Sequence, residues 1–296
     1  MARVAPKDRY VKANGIRLHY LDWGGGDKPV LVLVHGLTSN AHAWDPFIRS
    51  GLAPVDRYRI LSVDQRGHGD SDHARDYSIE RFAEDFRAFA EKLDLGKYDL
   101  LGHSLGARHA MAYAGDDSKR LRHLVLVDFG PEMERTGASQ VRGNTTQRPT
   151  SFRNLDEAVQ SMREMNPGRP DDVLRENAQH AFRENYAGRL VWKHDAELGW
   201  ISGSFGLKEV PYLWSQVAKI KCPTLIVRGA DSNILGPGVL ARILDVMPTA
   251  RAVEIPQAGH GVPQDQPDAF WREVNAFLQE PGGKKRARID GGKARP

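Results

Sequence analysis

Apolar residues along the chain fall into two rhythms. Short unbroken runs such as Val30 to Val34 and Ile60 to Val63 have the length and flanks of strands buried on both faces of a sheet. Longer stretches repeat apolar positions every three or four residues. After Ser78, a candidate N-cap, Ile79, Phe82, Ala83, Phe86, Phe89, Ala90 and Leu93 form one apolar stripe. Further strands are expected at Tyr98 to Leu101, Leu121 to Val127, Thr224 to Val227 and Ala252 to Ile255. Further helices are expected at Ala107 to Ala114, Val239 to Val246 and Pro267 to Leu278. This alternation predicts an α/β fold, a mainly parallel sheet with helices on both faces. The start departs from it: Tyr10 to Ala13 and Ile16 to Trp23 flank Asn14-Gly15, a hairpin dipeptide, so the first two strands are antiparallel.

Between Pro131 and about Leu213 the parallel-strand runs stop. A polar, Arg-rich stretch to Asn154 precedes helical periodicity over Leu155 to Met165 and Pro170 to Phe182. An insertion of this kind between two core strands predicts a helical lid, with Trp192, Trp200 and Trp214 as candidates to line a pocket. The expected organisation is a core in two parts, 1–130 and 214–280, a lid over 131–213, and a basic, disordered tail over 281–296.

Composition changes this picture little. The 296 residues are 40% hydrophobic and 27% charged, ordinary for a soluble globular chain. The net charge of +4 sits in the tail, where six Lys or Arg face one Asp and the rest of the chain is left near neutrality. Such a Gly-rich, apolar-poor end reads as a solubilising segment before it reads as a nucleic-acid contact, and no basic stripe marks the folded part. Cys222 is the lone cysteine and permits no internal disulfide, the first residues lack the apolar core of a signal peptide, and no run suits a membrane span. A cytoplasmic location is therefore expected. Oligomeric state has no signature.

Gly102-His103-Ser104-Leu105-Gly106 has the form Gly-x-Ser-x-Gly, a weak signal alone. Its setting strengthens it: an apolar strand precedes and a helix of small residues follows, the context of a nucleophile elbow. A serine hydroxyl needs a base to take its proton. His260, in the loop after the strand Ala252 to Ile255, is the histidine that a strand end can deliver to the same face. Acyl transfer also requires two donors for an oxyanion; Leu105 at the helix start and Leu37, in the loop after the first buried strand, are the expected backbone N–H groups.

With Leu33 to Asn40 (LVHGLTSN), Asp64 to Ser71 (DQRGHGDS), the GHSLG elbow and Ala258-Gly259-His260 in this order, the sequence resembles the α/β-hydrolase family from about Tyr10 to Leu278. The resemblance implies an eight-stranded sheet, an inserted lid and a triad in the order Ser, acid, His. In the family the acid usually lies three residues after the glycine that ends the seventh strand. Here that position is Ser232, with Asp231 one residue early. A minority places the acid at the end of the sixth strand, where Asp128 stands, 24 residues after Ser104. Asp128 is preferred and Asp231 is the alternative, because a one-residue shift in a tight turn redirects a side chain.

The resemblance implies a serine hydrolase acting on a small acyl substrate, a carboxylic ester or lactone first, through an acyl-enzyme on Ser104 and with no cofactor or metal. Amide and carbon-carbon cleavage in a small carboxylate are the alternatives, and a non-catalytic ligand-binding protein on the same fold is a third. The elbow GHSLGAR with Asp128 and Ser232 is similar to that of members acting on a dicarboxylate, which implies a carboxylate clamp by Arg142, Arg148 or Arg153 from the lid. His68-x-Asp70-x-Asp72-His73 resembles a metal-binding run but lacks one ligand histidine, and is read as the loop after a strand. Epoxide hydrolases and dehalogenases of this architecture use a carboxylate nucleophile, which Ser104 is not.

Overall fold

The structure, a computed structural model, describes residues 5–50, 55–166, 168–199 and 209–280. Trp200 and the tail 281–296 lie outside them. Eight strands form one sheet in the order β1-β2-β4-β3-β5-β6-β10-β11, where β1 is Lys7–Ala13, β2 Ile16–Asp22, β3 Val30–Val34, β4 Arg59–Val63, β5 Tyr98–His103, β6 Leu121–Val127, β10 Thr224–Gly229 and β11 Ala250–Ile255. From β4 to β11 every pairing is parallel, and β1 and β2 are antiparallel. The hairpin turns at Asn14 and Gly15, both with positive φ, as an Asn-Gly turn requires.

The central strands are buried on both sides, and the period of two sorts their residues between two cores. Val32, Val34, Leu100, Leu124 and Leu126 meet the helices Ile79–Lys92 and Leu105–Asp117, whereas Leu31, Leu33, Leu101, Val125 and Val127 meet Phe47, Phe270, Trp271 and Val274 on the opposite side. The helix Ile79–Lys92 begins after Ser78, whose backbone is extended as an N-cap should be. Its side chain makes no capping bond; the backbone oxygen of Ser78 accepts from Arg81 instead.

Between β6 and β10 lies an insertion with a small core of its own, built from Phe152, Ala158, Val159, Leu174, Ala178 and Phe182. Its helices Leu155–Met165 and Asp171–Ala181 occur where the periodicity placed them. The Arg-rich stretch before them also holds a helix, Arg135–Thr146, which periodicity did not reveal because Gly137 is its one buried residue. Three short antiparallel strands, β7 (Ser151–Phe152), β8 (Phe182–Glu184) and β9 (Leu190–Trp192), complete the insertion. After it, the helix Glu209–Lys219 joins the core through Leu213 and Val217.

Candidate active site

The order β5-β6-β10-β11 sets the carboxyl ends of four parallel strands side by side, and the candidate residues leave from those ends. Ser104 follows β5 and is the N-cap of the helix Leu105–Asp117, with φ +55° and ψ −120°. This strained conformation is held from both sides. The Ser104 N–H donates to Val127 O at 3.0 Å, and its carbonyl accepts from Arg108 N at 3.1 Å. The flanking glycines answer to close approach. A Cβ on Gly106 would stand 2.5 Å from Val34 O, and one on Gly102 would stand 2.4 Å from Gly106 O.

His260 Nε2 lies 2.8 Å from Ser104 Oγ, and its Nδ1 lies 2.8 Å from Asp128 Oδ2. The carboxylate favours one tautomer, in which Nδ1–H donates to Asp128 and Nε2 accepts a hydrogen bond from the Ser104 hydroxyl. Asp128 follows β6 directly, has positive φ, and is fully buried. Two further donors reach it: the Gly229 N–H at 3.2 Å to Oδ1, and the Ser232 hydroxyl to Oδ2. Ser232 Oγ in turn accepts from Ile234 N at 3.1 Å. Asp231 is exposed, and its backbone N–H donates to Ala258 O.

His103, inside the elbow, donates from Nε2 to the carbonyl of His260 at 2.8 Å, so the two histidine loops are tied together. Burial, reinforced by the neighbouring His260, drives the His103 pKa down to about 3, which keeps its ring neutral. Below, the loop that carries Leu37 is anchored by Asp64 at the end of β4. Its carboxylate accepts from Ala41 N at 2.6 Å, from Asp70 N at 2.9 Å and from His19 Nδ1 at 2.7 Å. Burial alone would raise the Asp64 pKa; the hydrogen bonds from His19 and the Asp70 N–H, with the charge of His19, hold it below the usual carboxylate value. Asp70, Asp72 and His73 of the metal-like run occupy a loop after β4, where Asp72 accepts from Arg17 N and His73 Nε2 donates to Lys193 O.

A cavity of about 310 Å³ opens over Ser104 and His260, bounded by Leu37, Trp192, Arg148 and Arg169. Leu105, as the first residue of its helix, keeps an N–H with no acceptor inside the helix. Arg148 donates to Thr38 Oγ1 at 2.7 Å, and burial pushes its pKa down to about 10. Arg169 is likewise lowered by burial, which Asp265 partly offsets. Neither forms an ion pair among the described residues. Sequence reasoning passed over Arg169, which lies in a turn of the insertion with no motif around it, and noted Ser232 at the family's usual acid position without assigning its hydroxyl a partner.

Three residues expected from the sequence to line the pocket do not border this cavity. Trp214 sits on the core helix Glu209–Lys219, where its Nε1 donates to Glu132 Oε1 and Arg242 stacks on its ring 3.9 Å from the centroid, so it lines neither this cavity nor the one beside it. Arg153 is exposed and pairs with Glu157 four residues on. Arg142 borders the adjoining cavity and not the one above Ser104.

A family model described as the alpha/beta hydrolase fold matches residues 29–266. The chain belongs to that family. This α/β-hydrolase is 31% identical over 271 residues to an N-formylmaleamate deformylase of Pseudomonas putida, covering 92% of this chain and 96% of that one. It is 27% identical to a 2-(acetamidomethylene)succinate hydrolase of Mesorhizobium japonicum over 91% of this chain and 94% of the relative. Among solved structures, an E-2-(acetamidomethylene)succinate hydrolase superposes with a TM-score of 0.84 at 26% identity, covering 93% of this chain and all of that one. The protein is thus a hydrolase. Among the described residues no helix is long and apolar enough to cross a membrane.

Proposed function

We propose that this α/β-hydrolase cleaves an acyl bond of a small molecule through a covalent intermediate on Ser104. The observation that carries the reading is the unbroken hydrogen-bond path from Ser104 Oγ through His260 to Asp128, under an open cavity. As Oγ attacks the acyl carbon, its proton passes to His260 Nε2, and buried Asp128 stabilises the imidazolium that results. The N–H groups of Leu37 and Leu105 receive the negative oxygen of the tetrahedral intermediate. Protonated His260 then delivers its proton to the leaving group, and the base it becomes activates water to release the acyl group. Asp128 is the acid in this scheme; Ser232 and Gly229 steady its carboxylate from the site where the family usually keeps the acid. A fluorophosphonate probe tests the scheme. Labelling of the wild type that vanishes in Ser104→Ala is expected, and equal labelling of both proteins would overturn it.

The cavity also favours a substrate with a carboxylate. Arg148 and Arg169 flank the reacting serine, and the cavity's described walls contain no Asp or Glu. A carboxylate compensates two desolvated guanidinium groups. Two of the relatives are named for carboxylate amides, N-formylmaleamate and 2-(acetamidomethylene)succinate. The bond is accordingly read as an ester or an amide of a small carboxylate. Comparing kcat/KM on neutral and anionic p-nitrophenyl esters and on N-acyl carboxylates separates these classes, with preference for the anionic members expected.

A further inference from the structure

Beside the catalytic cavity lies a second, larger chamber of about 780 Å³, which the acyl-transfer scheme leaves unused. The two chambers share Thr38, Thr145, Arg148 and Trp192 as walls, so Arg148 faces both. Its guanidinium donates to Thr38 and stands 5.4 Å from the centre of the Trp192 ring, so the partition is one cation held against a hydroxyl and an indole. Behind it the chamber is bordered by Arg142 from the helix Arg135–Thr146, Arg183 from β8, and His194 just after β9. Arg142, Arg148 and Arg183 come from separate parts of the insertion, so three guanidinium groups border one chamber, and the lowered pKa of His194 leaves it a neutral donor or acceptor there.

We propose that this chamber binds a second anionic group, a phosphate or a carboxylate-rich arm, beyond the acyl group that reacts on Ser104. The inference rests on the Ser104 reading for the position of the acyl group but concerns different residues. Three arginines border the chamber, and no described wall residue is acidic. Neither Arg142 nor Arg183 forms an ion pair among the described residues, although arginines elsewhere in the insertion do: Arg153 with Glu157, Arg163 with Asp171 and Arg175 with Asp156. Guanidinium groups that border one chamber without an acidic wall residue suit a multivalent oxyanion, since each can present two parallel N–H donors. A single carboxylate would leave most of the volume and charge unanswered. A phosphate, or two carboxylates on one arm, matches them.

Titrating the full-length protein with inorganic phosphate by calorimetry tests the site directly, in the wild type, in Arg142→Gln/Arg183→Gln and in Arg169→Gln. Both substituted arginines of the double variant are exposed, and circular dichroism verifies that its fold is retained. Saturable binding that weakens about tenfold or more in the double variant, and much less in Arg169→Gln, is the expected result. Absence of binding, or weakening confined to Arg169→Gln, would overturn the proposal, the latter by placing the anion over Ser104. The source of the anion shows in kinetics. For an arm of the substrate, the ratio of kcat/KM for an ester with a terminal phosphonate to that for a neutral ester falls about tenfold in the double variant. For a separate anion, phosphate alters the rate on the neutral ester while that ratio holds. Fluorophosphonate labelling of Ser104 in the double variant keeps the two readings apart: labelling with no phosphate effect sinks the chamber and leaves the hydrolase.

Discussion

At the scale of single residues, the site depends on how each polar group is held. Asp128 accepts from His260, Ser232 and Gly229, and among the described residues no Lys or Arg pairs with it. Asp128→Asn should therefore keep the fold but lower kcat by about 10³ to 10⁴, because the amide stabilises the wrong imidazole tautomer. Steady-state rates compared with Asp231→Ala, expected near wild type, distinguish the two acids. Ser232→Ala should act more gently. Losing a hydrogen bond to a buried carboxylate costs about 1.5 to 3 kcal/mol, read as a lower melting temperature together with a reduced kcat.

At the scale of elements, the elbow is a packing solution as well as the proposed seat of the nucleophile. The start of the helix Leu105–Asp117 lies so close to the end of β3 that Gly106 has no room for a side chain. Gly106→Ala should push helix and strand apart, destabilising the protein by about 1 to 3 kcal/mol in denaturant unfolding and reducing activity further than stability alone explains, since Leu105 N–H moves with the helix. The insertion is fastened to the core by polar bonds: Tyr77 to Asp195 at 2.6 Å, Lys193 to Asp70 at 2.7 Å, and Arg49 to Glu176. Leu198 adds an apolar contact to Tyr77 and Phe82, while the apolar faces of the helices Leu155–Met165 and Asp171–Ala181 turn to their own cluster, which explains why periodicity found these two amphipathic helices and missed the polar one.

Across the whole molecule, buried histidines set the response to acid. Burial lowers the pKa of His35, His68, His103 and His109, with His103 near 3, and the partly buried His180 and His194 fall to about 4. The unfolded chain takes up these protons below about pH 6.5 while the folded protein does not, so stability should fall as pH drops from about 6.5 towards 4. His19 has the opposite sign: Asp64 and Asp8 outweigh its burial and raise its pKa, so its contribution is present at low pH and lost as pH rises through the folded value. Urea unfolding between pH 7.5 and 4.5 measures the balance, and the more numerous depressed histidines should prevail.

By itself the sequence determined the alternation of strands and helices, the hairpin, the elbow and the histidine after β11, because strand period, helix period and turn glycines are local constraints printed directly in residue order. The family followed from the spacing of those turns. What only the tertiary structure decided was everything that depends on distance across the sheet: that the Ser232 hydroxyl reaches Asp128, that Trp214 belongs to the core, and that Arg148 and Arg169 from an irregular insertion stand over Ser104. Those partners lie 104 residues apart in the first case, and no periodicity links them. Only the order of parallel strands brings such distant turns to one edge, where hydrogen-bond geometry and burial then choose which side chains meet.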